Sequence, residues 1–145
     1  MKKILLQVSI LFILTSSFSF GRLSLAQYQR EIASIERKIQ TTVGQGSEIE
    51  QALKMVEELK RLASLNAPVS CEGEQIIFAQ TAHVMEGYFV ILLEYDRLDK
   101  KNSLSNIERQ RMQELQVEGY IYDVSLQDHM NRFQWAFKSV KNKTE

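Results

Sequence analysis

The scarcity of proline is the feature that most limits how this chain can fold. Its 145 residues include a single proline, Pro68, so backbone N–H groups are available for helical hydrogen bonds almost everywhere else. From Leu25 onward, apolar residues recur at steps of three and four, which is the spacing of one face of an α-helix. The sequence therefore predicts an all-α fold.

Four helices are predicted from that spacing, over residues 25–43, 48–65, 71–98 and 106–140. Short connections after the first and third helices indicate two antiparallel hairpins, of which the second is longer. We therefore expect an up-down four-helix bundle that forms a single domain over residues 22–145. The last residues, 141–145, are expected to fray.

Serine residues mark the predicted helix starts. Ser47 is followed three residues later by Glu50, and Ser105 by Glu108. In this arrangement each side chain accepts a hydrogen bond from an unpaired backbone N–H at the helix start. Ser70 is predicted to cap the third helix in the simpler way, with its hydroxyl alone.

The N-terminus resembles a secretory signal peptide. Lys2 and Lys3 precede an apolar run of 11 residues, 4–14, which is followed by a hydroxyl-rich stretch. Small residues allow cleavage after Gly21, which gives a signal peptide of residues 1–21, or after Ala26. The alternative is an uncleaved membrane anchor, but the run is short against the ~20 residues that span a bilayer. We therefore expect a periplasmic or secreted protein with no membrane span after cleavage.

Charge and cysteine content exclude some classes of protein. The full chain balances 18 basic against 18 acidic residues, and loss of Lys2 and Lys3 leaves 16 against 18. A mildly acidic chain lacks the basic surface of a nucleic-acid binder. Cys71 is the only cysteine, so no internal disulfide can form.

No recognised catalytic or metal-ligating motif is present, so we expect no enzyme activity, metal or cofactor. His83 and His129 are the only histidines. Cys71 is a candidate reactive thiol, because the first turn of a helix stabilises a thiolate. Nearby Glu72 and Glu74 oppose that effect, and a plain unpaired cysteine is the alternative.

Gly87 and Gly119 lie inside apolar runs that share the tripeptide Glu-Gly-Tyr. Glycine within a helix costs ~1 kcal/mol relative to alanine, so its presence calls for a packing reason. If the second hairpin turns near Ser103, the two glycines face each other at one level. This predicts either a close helix crossing or a pocket, whose further candidate residues are Tyr88, Glu118 and Tyr120.

The fourth helix carries a second apolar stripe, opposite the main one. At about 100° per residue, Val117, Ile121, Val124 and Trp135 share this face. One interpretation is that the other helices enclose the fourth on both sides. The other is that the stripe is exposed and forms an interface, most simply between two copies of the chain.

Two segments carry a family resemblance. "LSLAQ" at 23–27 and "LSNIE" at 104–108 resemble the L-T-x-x-Q box of small periplasmic stress chaperones, with serine for threonine in both and glutamate for glutamine in the second. The resemblance implies an exported, helical fold and a holdase activity. A capping box accounts for both segments equally well.

The function expected from the sequence is that of a non-enzymatic, exported helical protein that binds a protein partner or itself in the cell envelope. One alternative is a bundle that binds a cofactor or small ligand near the two glycines. The other is a holdase-type chaperone.

Export gives the first testable prediction. Intact mass spectrometry of the protein from the envelope fraction should show an N-terminus at Arg22 or Gln27, because signal peptidase removes the apolar segment. A membrane-bound chain that retains Met1 would establish the anchor instead.

Overall fold

A computed structural model describes residues 21–144 as a bundle of four helices. Helix α1 spans Leu25–Thr42, α2 Glu48–Ala63, α3 Glu72–Asp99 and α4 Asn106–Asn142. The described residues contain no strand, which confirms the all-α prediction, and every predicted helix end lies within two residues of the observed one. Residues 1–20 of the predicted signal peptide lie outside the described range.

Three of the four helices begin with a complete capping box, in which the N-cap serine and the side chain three residues later exchange hydrogen bonds with the backbone. The two predicted boxes at α2 and α4 are confirmed. Hydrogen bonding from Lys101, followed by that from the Ser105 backbone, lowers the pKa of Glu108 to about 2. The three pairs are Ser24 with Gln27, Ser47 with Glu50, and Ser105 with Glu108.

The predicted cap of α3 is wrong. A 3-10 turn, Val69–Cys71, precedes the helix and contains Ser70, and Cys71 occupies the N-cap position without a side-chain hydrogen bond. Pro68 is the reason, because its extended backbone starts the turn and its carbonyl accepts from the Cys71 N–H at 2.9 Å. Ser70 is thereby drawn into the turn and cannot act as the cap.

The main core is built by all four helices. Helix α3 is central, since it packs against both α2 and α4, while α1 packs against α2 and touches α4. The rings of Phe78 on α3 and Phe133 on α4 meet edge to face, with centroids 5.3 Å apart, a geometry that adds stability beyond area burial. The largest fully buried side chains of this core are Tyr28, Ile32, Ile35, Leu59, Leu62, Phe78 and Val140.

Helices α3 and α4 continue beyond the other two. They have 28 and 37 residues, against 18 and 16 in α1 and α2. A separate small core holds this extension together, with Ile91, Leu98 and Leu115 buried at its centre. Over this extension α4 packs on α3 alone, so its far side faces solvent.

Glu74 fastens the C-terminal end of α4 to the start of α3. Ser139 Oγ donates to its Oε1 at 2.6 Å, and Lys143 Nζ lies 2.8 Å from the same oxygen. Burial alone would raise the pKa of Glu74, but the hydrogen bonds from Lys143 and Ser139 outweigh it and lower that pKa. Lys143 also donates to the Ser70 carbonyl, so the predicted fraying does not include this residue.

One segment within residues 21–144 is long enough and apolar enough to cross a membrane, judged by length and hydropathy alone. This segment, Val69–Asp99, consists of the 3-10 turn and α3. In the bundle it is the central helix, and central helices are apolar on more than one face because they contact more than one neighbour. Ile76, Val90 and Leu93 remain exposed on it.

Candidate binding surfaces

An open groove of about 640 Å³ runs along α3, between the end of α2 and the middle of α4. The apolar part of its lining, called the floor below, consists of Ala79, Ala82, Gly87, Val90 and Ile91 of α3 and Ala63 of α2. Because the side chains of Ala79, Ala82 and Gly87 are short, they do not fill the space above α3 between α2 and α4. The size and the apolar floor are typical of small-ligand sites.

Arg111 fixes the charge arrangement along the α4 wall of this groove. Its Nε and Nη2 donate to the two carboxylate oxygens of Glu94, each at 3.0 Å, and its Nη1 donates to Glu118 Oε1 at 2.9 Å. Hydrogen bonding to Arg111 lowers the pKa of Glu94, and the carboxylates raise the pKa of Arg111. Such two-pronged pairs hold both side chains in one geometry.

The α2 wall carries a second ion pair. Lys60 Nζ contacts Glu86 Oε1, which links the end of α2 to α3. The exposed side chain of His83 lines the groove beside this pair. The groove therefore combines an apolar floor with paired charges on both walls.

Gly87 and Gly119 lie about one helical turn apart along the hairpin rather than at one level. A Cβ on Gly87 would lie 2.8 Å from Tyr122 Oη and 2.9 Å from its Cζ, whereas a Cβ on Gly119 would lie 3.7 Å from Ile91 Cγ2. Gly87 thus faces Tyr122, and Gly119 faces Ile91. The difference from the expected pairing arises because α4 begins past the end of α3 and does not start level with it.

The predicted pocket residues are divided among different surfaces. Gly87 and Glu118 line the groove, whereas Gly119 faces α3. Tyr88 packs against the main core and its Oη donates to Glu48 at 3.4 Å, and burial raises the pKa of its phenol. Tyr120 is 71% exposed on the outer side of α4.

The outer side of α4 is an exposed apolar stripe. The interpretation in which neighbouring helices enclose α4 on both sides is wrong, because α4 contacts α3 along one face and α1 only near its end. Tyr120 borders the stripe on the side away from the groove, about 40° from Val124 and about 60° from Val117 and Trp135 around the helix. The exposed fractions are 61% for Val117, 60% for Ile121, 51% for Val124 and 62% for Trp135.

Cys71 is completely buried in the main core. Its sulfur lies 3.9 Å from Ser70 Oγ. Oxidants and other chains therefore have no direct access to this thiol in the folded state. Within residues 21–144, no three His, Cys, Asp or Glu side chains are grouped as metal ligands.

The two segments that resemble the chaperone box have the same structural role. Ser24 with Gln27 and Ser105 with Glu108 each form a capping box at a helix start. No known protein family, curated protein or solved structure matches this chain.

The two glycines give a matched pair of variants. Gly119→Ala should raise the free energy of unfolding by about 0.5–1 kcal/mol, because alanine favours the helix and meets only ordinary contacts. Gly87→Ala should lack this gain, because its Cβ displaces the Tyr122 ring. Thermal melts should therefore separate the two variants by roughly 3 °C or more.

A second substitution tests whether the Tyr122 ring is the reason that Gly87→Ala lacks the gain in stability. In Tyr122→Leu, which removes the ring, Gly87→Ala should become as favourable as Gly119→Ala. Equal melting temperatures for the two alanine variants of the parent chain would show that Tyr122 does not restrict position 87.

Proposed function

We propose that this chain is an exported, non-enzymatic helical protein that binds another polypeptide through the outer stripe of α4, defined as Val117, Tyr120, Ile121, Val124 and Trp135. The observation that carries the proposal is that all five side chains are more than half exposed on one helix. Soluble proteins rarely leave contiguous apolar surface uncovered without an interaction to cover it. Tryptophan and tyrosine are also the residues that contribute most to binding energy at protein interfaces.

Export is supported by the sequence alone, and the first contacts of the described chain favour one of the two cleavage sites. Arg22 forms an ion pair with Glu72, and the Leu23 N–H donates to the Asn66 carbonyl at 2.9 Å. Cleavage after Ala26 would remove these contacts, the Ser24 cap and the buried side chain of Leu25. Cleavage after Gly21 would keep all of them, and we therefore propose Arg22 as the first residue of the mature chain.

The groove on α3 favours a second candidate function, the binding of a small molecule. Its apolar floor suits the body of a ligand, and the ion pairs on its walls offer hydrogen bonds that would fix a polar end. A binding role fits these walls better than a catalytic one, because Lys60, Glu86, Glu94 and Arg111 are engaged with each other.

Photo-crosslinking tests the proposed polypeptide-binding surface. With a photoreactive amino acid at Ile121, irradiation of cells should yield adducts to a polypeptide, because the stripe is covered there. The same group at Ile76, which is 59% exposed on α3 against 60% for Ile121, is the matched control and should yield far fewer. Equal yields at both positions, or no adduct at Ile121, would reject the stripe as a binding surface.

Native mass spectrometry tests the groove. Protein purified from its own host should carry an additional small-molecule mass, with a visible absorption band if that molecule is a cofactor. Ala79→Leu places bulk on the groove floor and should remove this mass, whereas Ile121→Glu on the outer stripe should retain it. A parent chain whose native mass equals that of the polypeptide alone contradicts this second candidate.

A further inference from the structure

The outer stripe continues beyond its apolar residues with the spacing of a coiled-coil seam. Positions taken alternately three and four residues apart from Glu114 lie along this one face, as the contact positions of two packed helices do, and four of these eight positions are apolar. All eight side chains are exposed in the four-helix bundle. The seam consists of Glu114, Val117, Ile121, Val124, Asp128, Asn131, Trp135 and Lys138.

We propose that the partner of this seam is a second copy of the chain, and that the two α4 helices pack antiparallel about a two-fold axis between Val124 and Asp128. The inference rests on the proposed role of the outer stripe in binding. Because three- and four-residue steps are symmetric about that point, every seam residue meets a seam residue of the other helix. The seam from 114 to 138 is about 36 Å long at 1.5 Å per residue.

Charge complementarity supports the antiparallel direction. In this arrangement Glu114 lies opposite the partner's Lys138, and Lys138 opposite the partner's Glu114. A parallel dimer would instead place Glu114, Asp128 and Lys138 each opposite its own copy, and like charges in a seam are strongly unfavourable. Lys138 forms no ion pair with any residue between 21 and 144, so its charge is available to the partner.

The charged ends of the seam select the register, because of the three registers compared only the one with its axis between Val124 and Asp128 places Glu114 opposite the partner's Lys138. With the axis between Val124 and Asp128, Trp135 covers the partner's Val117 at both ends of the interface. Apolar residues face polar ones in every register: Ile121 faces Asn131 and Val124 faces Asp128 in this one, and a shift by half a repeat places Val117 opposite Asp128 or Ile121 opposite Lys138. Both shifts also separate Glu114 from Lys138.

Asp128 is the polar residue nearest the two-fold axis. In the proposed register it lies opposite the partner's Val124, which is unfavourable for an isolated carboxylate. Arg132 on the same helix already pairs with it, with Nη2 2.8 Å from Oδ2.

Charge reversal tests both the partner and the register. Light scattering coupled to size exclusion should show that the parent is a dimer. Glu114→Lys and Lys138→Glu should each weaken its self-association by about tenfold or more, because each creates a like-charge pair twice. The double variant, which exchanges the two charges, should restore association to near the parent level.

Trp135 provides an independent signal, because it is the only tryptophan in the chain. Its fluorescence should shift to shorter wavelength as the concentration rises through the dimerisation range, since the partner covers the indole. Ile121→Glu should abolish this shift, and Ile76→Glu, which lies off the seam, should leave it unchanged. Both charge-reversal positions are exposed, so neither substitution places a charge in the core. Lys138→Glu breaks no ion pair within residues 21–144, whereas Glu114→Lys also removes the pair between Glu114 and Arg111, so Lys138→Glu is the cleaner of the two single variants.

Different experimental outcomes would overturn the proposed dimer and the proposed binding role of the stripe. A monomeric parent with constant Trp135 emission would overturn self-association, while adducts from Ile121 to a different protein would leave the binding role of the stripe intact. A dimer that Ile121→Glu dissociates but that the double charge exchange does not restore would overturn the register. Dissociation by Ile76→Glu would place the interface elsewhere.

Discussion

The packing of α3 against two helices at once determines the rest of this structure. One part of its surface contacts α2 and another contacts α4, where Phe78 meets Phe133 and Glu74 binds Ser139 and Lys143. These contacts lie towards the N-terminal part of α3. The part of α3 beyond α2 is held only by α4, through the small core around Ile91 and Leu115. The groove lies along α3 between α2 and α4, and the outer stripe lies on the side of α4 that faces away from α3.

Helix starts were predictable because their causes are local. Ser47 and Ser105 cap helices through partners three residues away, so both residues of each interaction can be identified from the sequence. The predicted cap at Ser70 was wrong because Pro68 starts a 3-10 turn that contains Ser70, which prevents the serine from capping α3. Apolar spacing likewise identified the faces of α4, but it contains no information about which face a neighbouring helix covers.

The groove was only partly predictable. Gly87 was singled out because glycine within a helix is costly, and Glu118 because it lies beside Gly119, but the neighbours of both depend on how far α4 starts beyond the end of α3. A displacement of about one turn replaces Gly119 with Tyr122 as the residue facing Gly87. The pairing of Arg111 with Glu94 depends on the same tertiary register, and no spacing along a single helix indicates it.

The groove and the outer stripe use different sides of one helix. Glu118 and Tyr122 line the groove, while Val117 and Ile121, each one residue away, lie on the stripe. Successive residues differ by about 100° around a helix, so a chain that covers the stripe does not fill the groove. A ligand in the groove and a partner on α4 are therefore compatible. Coupling between them would pass through α4 itself, most directly through Arg111, whose three carboxylate partners hold this part of the helix against α3 and against its own next turns.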